Sequence, residues 1–245
     1  MLAGTQEQVI EELGEFLKKY PPPCKVAIKI NLSSPPSALS PKTDPVFLSN
    51  VLSYLLRLGY NISIVEGAHG FLEQNLISIG MGDYLGHSSI SLIDIDKEED
   101  VVWIKRNGRC YPLPKALNEM DVRIALPCAT KRPGYLFSCN VKTFVGILPS
   151  SLCQNGTISV FSRPMIHEDL TVTISDLYQI VCETIPFHFY LNGGNTISEK
   201  TSMRSLPLFY CSSNPIELDE YLVNVLQVDC PGYLQRLKMI INGDE

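Results

Sequence analysis

The sequence predicts an α/β fold: a mostly parallel, open sheet with flanking helices, a Rossmann-like arrangement, and a peripheral β-hairpin. The prediction depends on three consecutive segments. Residues 25–32 (KVAIKINL) form an apolar, alternating run typical of a buried strand, residues 44–58 keep helical spacing, and residues 61–66 (NISIVE) form a second buried strand. Together these segments span about 40 residues, which is the length of a right-handed parallel βαβ unit.

The first two helices have clear start and stop signals. Thr5 and Gln8 have capping-box spacing ahead of an apolar stripe, and a run of prolines ends that helix. Asp44 can cap the next helix, whose first turn contains Pro45, and Gly59 can end it. These signals predict one helix before the first strand and one between the two strands.

A hairpin is predicted beside the sheet. Residues 92–95 and 101–105 have strand patterns, and Asn107 and Gly108 follow them. An Asn-Gly pair favours the positive φ angles of a tight hairpin turn. We expect this hairpin to be a peripheral insertion at about residues 92–115.

The second half of the chain returns to the sheet. Residues 121–126 (DVRIAL) and 206–211 are predicted strands, and residues 168–184 fit a helix over a long window although their start alternates like a strand. Asn214, followed by proline, can cap a last helix. Asp219 lies on the first turns of that helix, where it either stabilises the helix dipole or takes part in catalysis.

Composition excludes several classes of protein. Of 245 residues, 45% are apolar and 19% charged, which excludes extensive disorder and is compatible with one domain over residues 1–245. The net charge of −6 argues against a nucleic-acid binder with a basic surface. No apolar run reaches the roughly 18 residues of a membrane helix, and no signal-peptide pattern opens the chain. We expect a cytoplasmic protein with no membrane partner, and a homodimer is a possible assembly.

The eight cysteines are scattered along the chain. Zinc and iron–sulfur sites normally need close pairs such as CxxC, because neighbouring thiolates must converge on one ion or cluster. Even the closest two, Cys128 and Cys139, lack that spacing. We therefore expect no metal site and no cofactor, and an iron–sulfur cluster or a flavin only if a partner supplies it.

The candidate site is predicted at the carboxyl ends of the parallel strands, where loops and helix N-termini converge. Each predicted strand brings polar side chains to this edge, including His69 after the second strand and Ser212 after the last. We expect substrate-binding roles there for Lys29, Asn31, Thr130, Lys131, Arg132, Asn192 and Asn214.

One long segment is depleted of acidic residues. Residues 122–167 contain no Asp or Glu. In an acidic protein this block indicates an anion site, because Arg offers a fork and Lys a point charge to carboxylate or phosphate. A solvated basic face that pairs with acidic loops is the alternative. The basic side chains of the block are Arg123, Lys131, Arg132, Lys142 and Arg163.

Three residues are candidate catalytic acids or bases: Lys142, Glu66 and His167. Lys29 would be costly to bury unpaired, so it either reaches a functional cavity, which we favour, or forms an ion pair with an acid such as Glu66. Glu66 and His69 have E-x-x-H spacing, but on a loop that spacing does not fix a metal-binding geometry.

Taken in order, these segments resemble the DUF362 family (domain of unknown function 362) over about residues 24–240. Residues 25–32 and 43–45 resemble its strand, K-x-N and T-D-P opening. Residues 139–149 (CNVKTFVGILP) resemble its K-N-x-x-G segment, and residues 212–219 (SSNPIELD) resemble its D-P-x-A-x-D element. The last two segments keep the family's Lys142, Gly146, Pro215 and Asp219.

The chain departs from the family patterns at several positions. Asn192 and Asn214 stand where the family commonly has Asp, and an amide has neither the charge nor the basicity of a carboxylate. The family's K-T-H is represented only by Thr130, Lys131 and Arg132, without the histidine. The ferredoxin-type cysteine cluster that often accompanies the family is also missing. The resemblance therefore implies a divergent member.

The resemblance identifies a fold lineage better than a reaction. We expect an enzyme that acts on a small anionic metabolite, in specialised biosynthesis, as a lyase, isomerase or cyclase. Such reactions need positioned acids, bases and charges but no redox centre. Two alternatives remain open. One, which the resemblance implies, is an iron–sulfur-associated oxidoreductase or its subunit; the other is a non-catalytic ligand-binding or assembly protein.

Overall fold

The computed structural model describes residues 1–32, 42–67, 70–132, 135–149, 152, 169–199 and 202–244. Within them the strands are β1 (Leu2–Gly4), β2 (Lys25–Ile30), β3 (Asn61–Glu66), β4 (Ile90–Asp94), β5 (Val101–Arg106), β6 (Arg109–Pro114), β7 (Val122–Leu126), β8 (Thr130–Arg132), β9 (Tyr135–Ser138), β10 (Phe189–Asn192), β11 (Asn195–Glu199), β12 (Ser202–Ser205) and β13 (Phe209–Ser212). The α-helices are α1 (Gln6–Leu17), α2 (Pro45–Arg57), α3 (Leu72–Ser78), α4 (Leu170–Thr184), α5 (Pro215–Val225) and α6 (Gly232–Asn242).

The predicted βαβ unit is confirmed. The Thr5 capping box starts α1, and the Asp44 side chain accepts hydrogen bonds from the backbone N–H groups at the start of α2. β2 and β3 pair in parallel, from Lys25 opposite Asn61 to Lys29 opposite Val65. This unit lies inside the sheet, because β7 pairs in parallel with the other side of β2 and β4 pairs in parallel with the other side of β3.

The main sheet has seven strands in the order β1-β13-β10-β7-β2-β3-β4. The five strands from β10 to β4 are parallel, whereas β13 is antiparallel to β10 and β1 is antiparallel to β13. The expected mostly parallel, open α/β sheet is therefore confirmed. The parallel strands bring the carboxyl ends of β10, β7, β2 and β3 to one edge.

Each face of the sheet has its own core. Along β2, Val26 and Ile28 point into the core formed with α1 and α2, while Ala27 belongs to the core on the opposite face. Strand alternation places Lys29 on the same face as Ala27. That second core contains the apolar side chains of α4, α5 and α6. Of the two lysines on this row of β2, Lys25 is exposed at the start of the strand and Lys29 is buried.

The predicted hairpin is confirmed for β5 and β6, joined by Asn107 and Gly108 with φ angles of 50° and 77°. The expected bounds of about 92–115 were wrong at the start, because residues 90–94 form β4, which pairs in parallel with β3 in the main sheet. The hairpin pairs outside the main sheet and packs on α4. The helix predicted at residues 168–184 is confirmed as α4. The Tyr111 hydroxyl donates to Asp176 Oδ2 at 2.7 Å, and Asn107 Nδ2 donates to Asp176 Oδ1 at 2.7 Å. Arg106 pairs with Glu183 at 2.7 Å, so the hairpin is fixed to the helix by polar contacts as well as by packing.

A second sheet was not predicted. It has four strands in the order β12-β11-β8-β9. Thr130 to Arg132 therefore form a strand of their own, β8, and do not end the strand at residues 121–126, because β7 stops at Leu126. Residues 127–129 separate the two strands and lead the chain from one sheet to the other.

The last strand runs in the opposite direction to the one expected. We expected residues 212–214 at the carboxyl edge of the parallel strands, but Tyr190 lies opposite Ser212 and Asn192 opposite Tyr210. Since β13 is antiparallel, its carboxyl end lies near the start of β10.

Among the described helices, none is both long enough and apolar enough to cross a membrane.

Candidate functional site

A buried ion pair lies at the carboxyl edge of the sheet. Lys29 Nζ is 2.9 Å from Glu66 Oε1 and also donates to the Ile30 carbonyl oxygen at 2.8 Å. The Lys29 residue is only 1% exposed, so of the two predicted alternatives the structure shows the ion pair. The pair joins the ends of two adjacent interior strands, β2 and β3.

Glu66 also orders the chain that follows each strand. Its Oε2 accepts from the Leu32 backbone N–H at 2.9 Å, and its Oε1 accepts from the Gly67 N–H at 2.8 Å. Burial raises the pKa of the Glu66 carboxyl, while the Lys29 ammonium and these two N–H groups act in the opposite direction. The carboxyl thus has three donors directed at it, and these donors favour its charged form.

A short helix covers this pair. We call the 3-10 helix at Val141–Ile147 the bridging helix. A Cβ atom added to Gly146 would lie 3.0 Å from Lys29 Nζ and 3.4 Å from Glu66 Oε1. Glycine is therefore the residue that lets the bridging helix pack this closely on the ion pair.

The bridging helix has three rows of side chains, because residues three apart in a 3-10 helix lie on the same face. One row is Asn140, the residue immediately before the helix, then Thr143 and Gly146. The second row, which is buried in the core with α4, is Val141, Phe144 and Ile147. The third row is Lys142 and Val145, which are half-buried.

The other end of the bridging helix is held by a buried polar cluster. Asp219 Oδ1 accepts from Asn140 N at 2.9 Å and from Asn140 Nδ2 at 2.8 Å, and Asp219 Oδ2 accepts from Val141 N at 3.0 Å. Asn140 Nδ2 also donates to Asn192 Oδ1 at 2.8 Å, and Asn192 Nδ2 donates to the Pro127 carbonyl and to Cys139 Sγ. We call Cys139, Asn140, Asn192 and Asp219 the anchor cluster.

The anchor cluster places the bridging helix across three strand ends. Asn140 contacts the end of β10 through Asn192, and Gly146 covers the ends of β2 and β3 through Lys29 and Glu66. At about 2.0 Å per residue, six residues span roughly 12 Å, which matches the roughly 10 Å between β10 and β2 across the intervening β7.

The row that faces the strand ends has unsatisfied polar atoms. Among the described residues, Asn140 Oδ1 and Thr143 Oγ1 are buried without a hydrogen-bond partner, and so is Asn31 Oδ1, which follows β2. Buried polar atoms are normally satisfied, so these atoms are available to an ordered water or to a polar group of a ligand. All three belong to segments at the carboxyl edge.

Asp219 performs a role that neither sequence hypothesis included. It is fully buried and binds the N–H groups at the start of the bridging helix rather than those of its own helix, α5. Burial raises the pKa of the Asp219 carboxyl to about 7, against the lowering effect of its hydrogen bonds to Val141, Asn140 and Cys139.

The predicted basic residues are only partly brought together. Lys29 lies beneath the bridging helix, whereas Lys142 lies on its half-buried row. Thr130 donates to the Ser138 carbonyl at 3.3 Å inside the second sheet, and Lys131, its neighbour, is half-buried. Arg132 belongs to the same strand, and its side chain is outside the described part of the chain.

Two other predicted positions have structural contacts. Asn214 does not lie at the carboxyl edge, because β13 is antiparallel; its Oδ1 accepts from Ile216 N and Glu217 N and caps α5. Asn192 does lie at the edge, but it is buried in the anchor cluster. The predictions at His69, Arg163 and His167 fall outside the described residues.

The basic block is divided between the two edges of the sheet. Arg123 lies at the start of β7, where its Nε donates to the Leu117 carbonyl at 2.8 Å and its Nη1 to the Pro186 carbonyl. Arg123 therefore lies at the amino edge of the parallel strands, and its guanidinium donates hydrogen bonds to backbone carbonyl oxygens. The sequence depletion in acidic residues does not correspond to one continuous surface.

Sequence reasoning missed Asn140 and the role of Gly146. The signal was available in the three-residue spacing of Asn140, Thr143 and Gly146, but a run this short is normally interpreted as a loop or an α-helical turn. A 3-10 run of seven residues is uncommon, and such runs often mark a hinge or a strained segment.

The described cysteines do not fit an iron–sulfur cluster. No group of three or more His, Cys, Asp or Glu side chains within the described ranges is placed to hold a metal ion. Cys139 accepts from Asn192 Nδ2 at 3.1 Å, and burial raises the pKa of its thiol well above the usual value. A cluster ligand must be a thiolate, so this environment opposes that role.

Comparison with known proteins identifies the lineage. Residues 26–224 match the family described as "Domain of unknown function (DUF362)". A search of curated proteins found no match.

Several solved structures resemble this one, including the following two. The lactate racemase apoprotein from Thermoanaerobacterium thermosaccharolyticum has a TM-score of 0.54 and 14% identity, covering 90% of this chain and 56% of that protein. A structural-genomics target from Thermotoga maritima has a TM-score of 0.57 and 13% identity, covering 98% of this chain and 61% of that protein. At such identities the likeness shows the fold alone. The chain spans 56% and 61% of the lengths of these two proteins.

Proposed function

Since the chain belongs to the DUF362 family, whose description assigns no reaction, we propose its function from the geometry of the carboxyl edge. It is an enzyme that acts on a small anionic metabolite by acid–base and electrostatic catalysis. The observation that carries this proposal is the buried pair of Lys29 and Glu66 at the ends of β2 and β3.

The ion pair is difficult to explain by stability. Removing two charges from water costs several kcal/mol for each ion, and replacing such a pair by apolar residues is often neutral or stabilising. Here the pair also lies where ligands bind in open α/β sheets. A fixed positive charge in a low-dielectric setting acts strongly on a developing negative charge, which is the usual basis of electrostatic catalysis.

The roles differ among the candidate residues. Lys29 supplies the fixed charge, and Glu66 sets its position and orders the chain after each strand. Lys142 is the candidate that the geometry favours for proton transfer, because it is half-buried, whereas Glu66 accepts three hydrogen bonds and is nearly inaccessible. His167 remains a second candidate for proton transfer, and Lys131 and Arg132 are candidates for binding the anion.

The fold likeness to a racemase is an analogy that guides the choice of substrates. Proton removal next to a carboxylate is a step common to racemases, isomerases and many lyases, and it needs an acid–base group and a positive charge near the carboxylate. We therefore propose 2-hydroxy, 2-amino and dicarboxylic acids as the first class to test.

The test is exchange of a carbon-bound proton with solvent. The protein is incubated in D₂O with lactate, malate, alanine or aspartate, and proton NMR follows loss of the Cα–H signal. We expect exchange with at least one acid, and we expect Lys142→Ala to lower its rate by about 10²- to 10⁴-fold.

Lys115→Ala is the matched control, because Lys115 pairs with exposed Asp100 and lies near the start of β7, at the opposite edge. Its rate should equal that of the unmodified protein. Calorimetric binding of an acid without any exchange would favour the non-catalytic ligand-binding alternative. Stoichiometric iron together with a visible absorption band in protein purified without oxygen would favour the oxidoreductase.

A further inference from the structure

We propose that Asp219 is a positioning residue for the site: by fixing the start of the bridging helix, it holds Gly146 closed over Lys29. The proposal rests on the proposed function only in taking Lys29 as part of an active site. The coupling itself is a property of contacts between α5, the bridging helix and the strand ends.

The first step of the argument is the number of bonds that converge on one carboxyl group. Asp219 Oδ1 accepts two N–H bonds from Asn140, and Oδ2 accepts one from Val141. These backbone groups are at the start of the bridging helix, where N–H groups have no partner within the helix. A side chain from a distant helix therefore fixes the position and direction of the bridging helix.

The second step is that the other hydrogen bonds at the start of the bridging helix also involve the anchor cluster. Asn140 Nδ2 reaches Asn192 at the end of β10, and Asn192 in turn holds Cys139. The side chains of Tyr190 in β10 and Tyr233 in α6 are buried in the core on the same face of the sheet as α5. The carboxyl is fully enclosed, so it cannot exchange these partners for water without local opening.

The third step is the far end of the bridging helix. Gly146 is close enough to the ion pair that an added Cβ would lie 3.0 Å from Lys29 Nζ, and Lys29 is almost completely buried. A small displacement of the bridging helix therefore uncovers Lys29. The seven residues between Asn140 and Gly146, counted inclusively, are too few to absorb such a displacement as a flexible loop would.

The experiment measures the accessibility of Lys29 directly, without a ligand. The folded protein is treated briefly with formaldehyde and borohydride, and mass spectrometry quantifies methylation of the peptide that contains residues 25–32. Lys25, which is exposed at the start of β2, is in the same peptide and serves as the internal reference.

In the unmodified protein we expect Lys29 to react at least 100-fold more slowly than Lys25. Asp219→Ala removes all three bonds, and we expect it to raise the Lys29 rate at least 10-fold. Asp219→Asn keeps the acceptor for Asn140 and loses the acceptor for Val141, so we expect an intermediate rate. A general loss of stability would also raise the Lys29 rate, so a control variant of comparable stability is needed to separate the two causes.

Asp176→Asn is the matched control, because Asp176 is also a buried carboxylate that accepts two side-chain hydrogen bonds, from Tyr111 and Asn107. It contacts the hairpin rather than the bridging helix. We expect it to lower stability and leave Lys29 protected. Amide hydrogen exchange of residues 140–147 should accelerate in the Asp219 variants and not in this control.

Two outcomes would overturn the inference. One is a Lys29 that stays protected in Asp219→Ala while the protein remains folded by circular dichroism. The other is equal exposure of Lys29 in Asp176→Asn, which would assign the effect to stability. If proton exchange with carboxylic acids is absent but Lys29 responds as expected, the proposed function fails and the positioning role stands.

Discussion

Gly146 lets the bridging helix pack closely on the candidate site because it has no side chain. Its place over Lys29 and Glu66 is a requirement for close approach, because a single added carbon would lie 3.0 Å from a buried ammonium nitrogen. The family pattern gave this glycine from the sequence, but the sequence alone could not show which residues it covers. The partners come from β2 and β3, more than 70 positions away in the chain.

We predict that Gly146→Ala lowers the free energy of unfolding by about 1–3 kcal/mol, the usual cost of overpacking a well-packed interior. Gly86→Ala is the control, since an added Cβ there meets no atom within 4 Å. Urea unfolding of both variants at one pH is the measurement. Equal stability of the two variants would show that Lys29 moves aside without cost.

Asp219 gives a prediction about pH. Burial raises the pKa of this carboxyl to about 7 in the native state, from 3.8. Between these values the native state binds more protons than the unfolded state, so this group lowers stability as the pH rises from about 4 to 7 and has no further effect above it.

The free energy of unfolding of the native protein should therefore fall relative to that of Asp219→Asn as the pH rises. We expect the difference to change by on the order of 2–4 kcal/mol between pH 4.5 and pH 8. Urea titrations of both proteins across this range measure it. Parallel pH profiles of the two proteins would contradict the prediction. They would mean that the Asp219 carboxyl has the same pKa in the native and the unfolded state.

Residue-level prediction succeeded where a pattern had a single structural meaning. Thr5 and Asp44 cap their helices as expected, because capping depends on a few neighbouring residues. Prediction failed for Lys29, which we expected to reach a functional cavity and which instead forms an ion pair with Glu66. The two alternatives differ only in what lies opposite the Lys29 side chain, and this depends on residues that are distant in the sequence.

At the scale of elements, the second sheet shows the limit of hydrophobic periodicity. β8 (TKR) and β12 (SMRS) are short and largely polar, so neither has the alternation that marks a half-buried strand. Their pairing is specified by neighbours that are distant in the sequence. By contrast, the long α4 was predicted because its apolar positions kept helical spacing over the whole segment.

Asn214 allows an element-scale test of a departure from the family pattern. Since Asn214 caps α5, Asn214→Asp should retain the cap and change the free energy of unfolding by less than about 0.5 kcal/mol, whereas Asn214→Ala should cost about 1 kcal/mol. Thermal or urea unfolding measures both. A rise in proton-exchange activity in Asn214→Asp would instead assign the family's Asp at this position to chemistry.

At the scale of the whole molecule, the sheet is covered on both faces. The parallel strands were predicted because runs that are buried on both faces are nearly continuous in apolar residues, as in β7. The direction of β13 was not predicted, because an apolar strand has the same pattern in either orientation. That single reversal removed Asn214 from the predicted site.

We predict that the amides of β2, β3 and β7 exchange with deuterium most slowly, because these strands are paired on both edges and covered on both faces. The β5–β6 hairpin should exchange much faster, since it is two-stranded and Val102 and Trp103 are exposed. Native-state exchange followed by mass spectrometry or NMR distinguishes them. Equal protection of the hairpin would mean that it unfolds only together with the sheet.

The bridging helix has the mechanics of a lever whose pivot is at one end. With one end held and the other roughly 12 Å away, a tilt of about 10° carries Gly146 through about 2 Å. Such a rotation needs no strand to move. A ligand or a mutation at Asn140 thus changes the position of Gly146 over Lys29 while the strands of the main sheet stay in place.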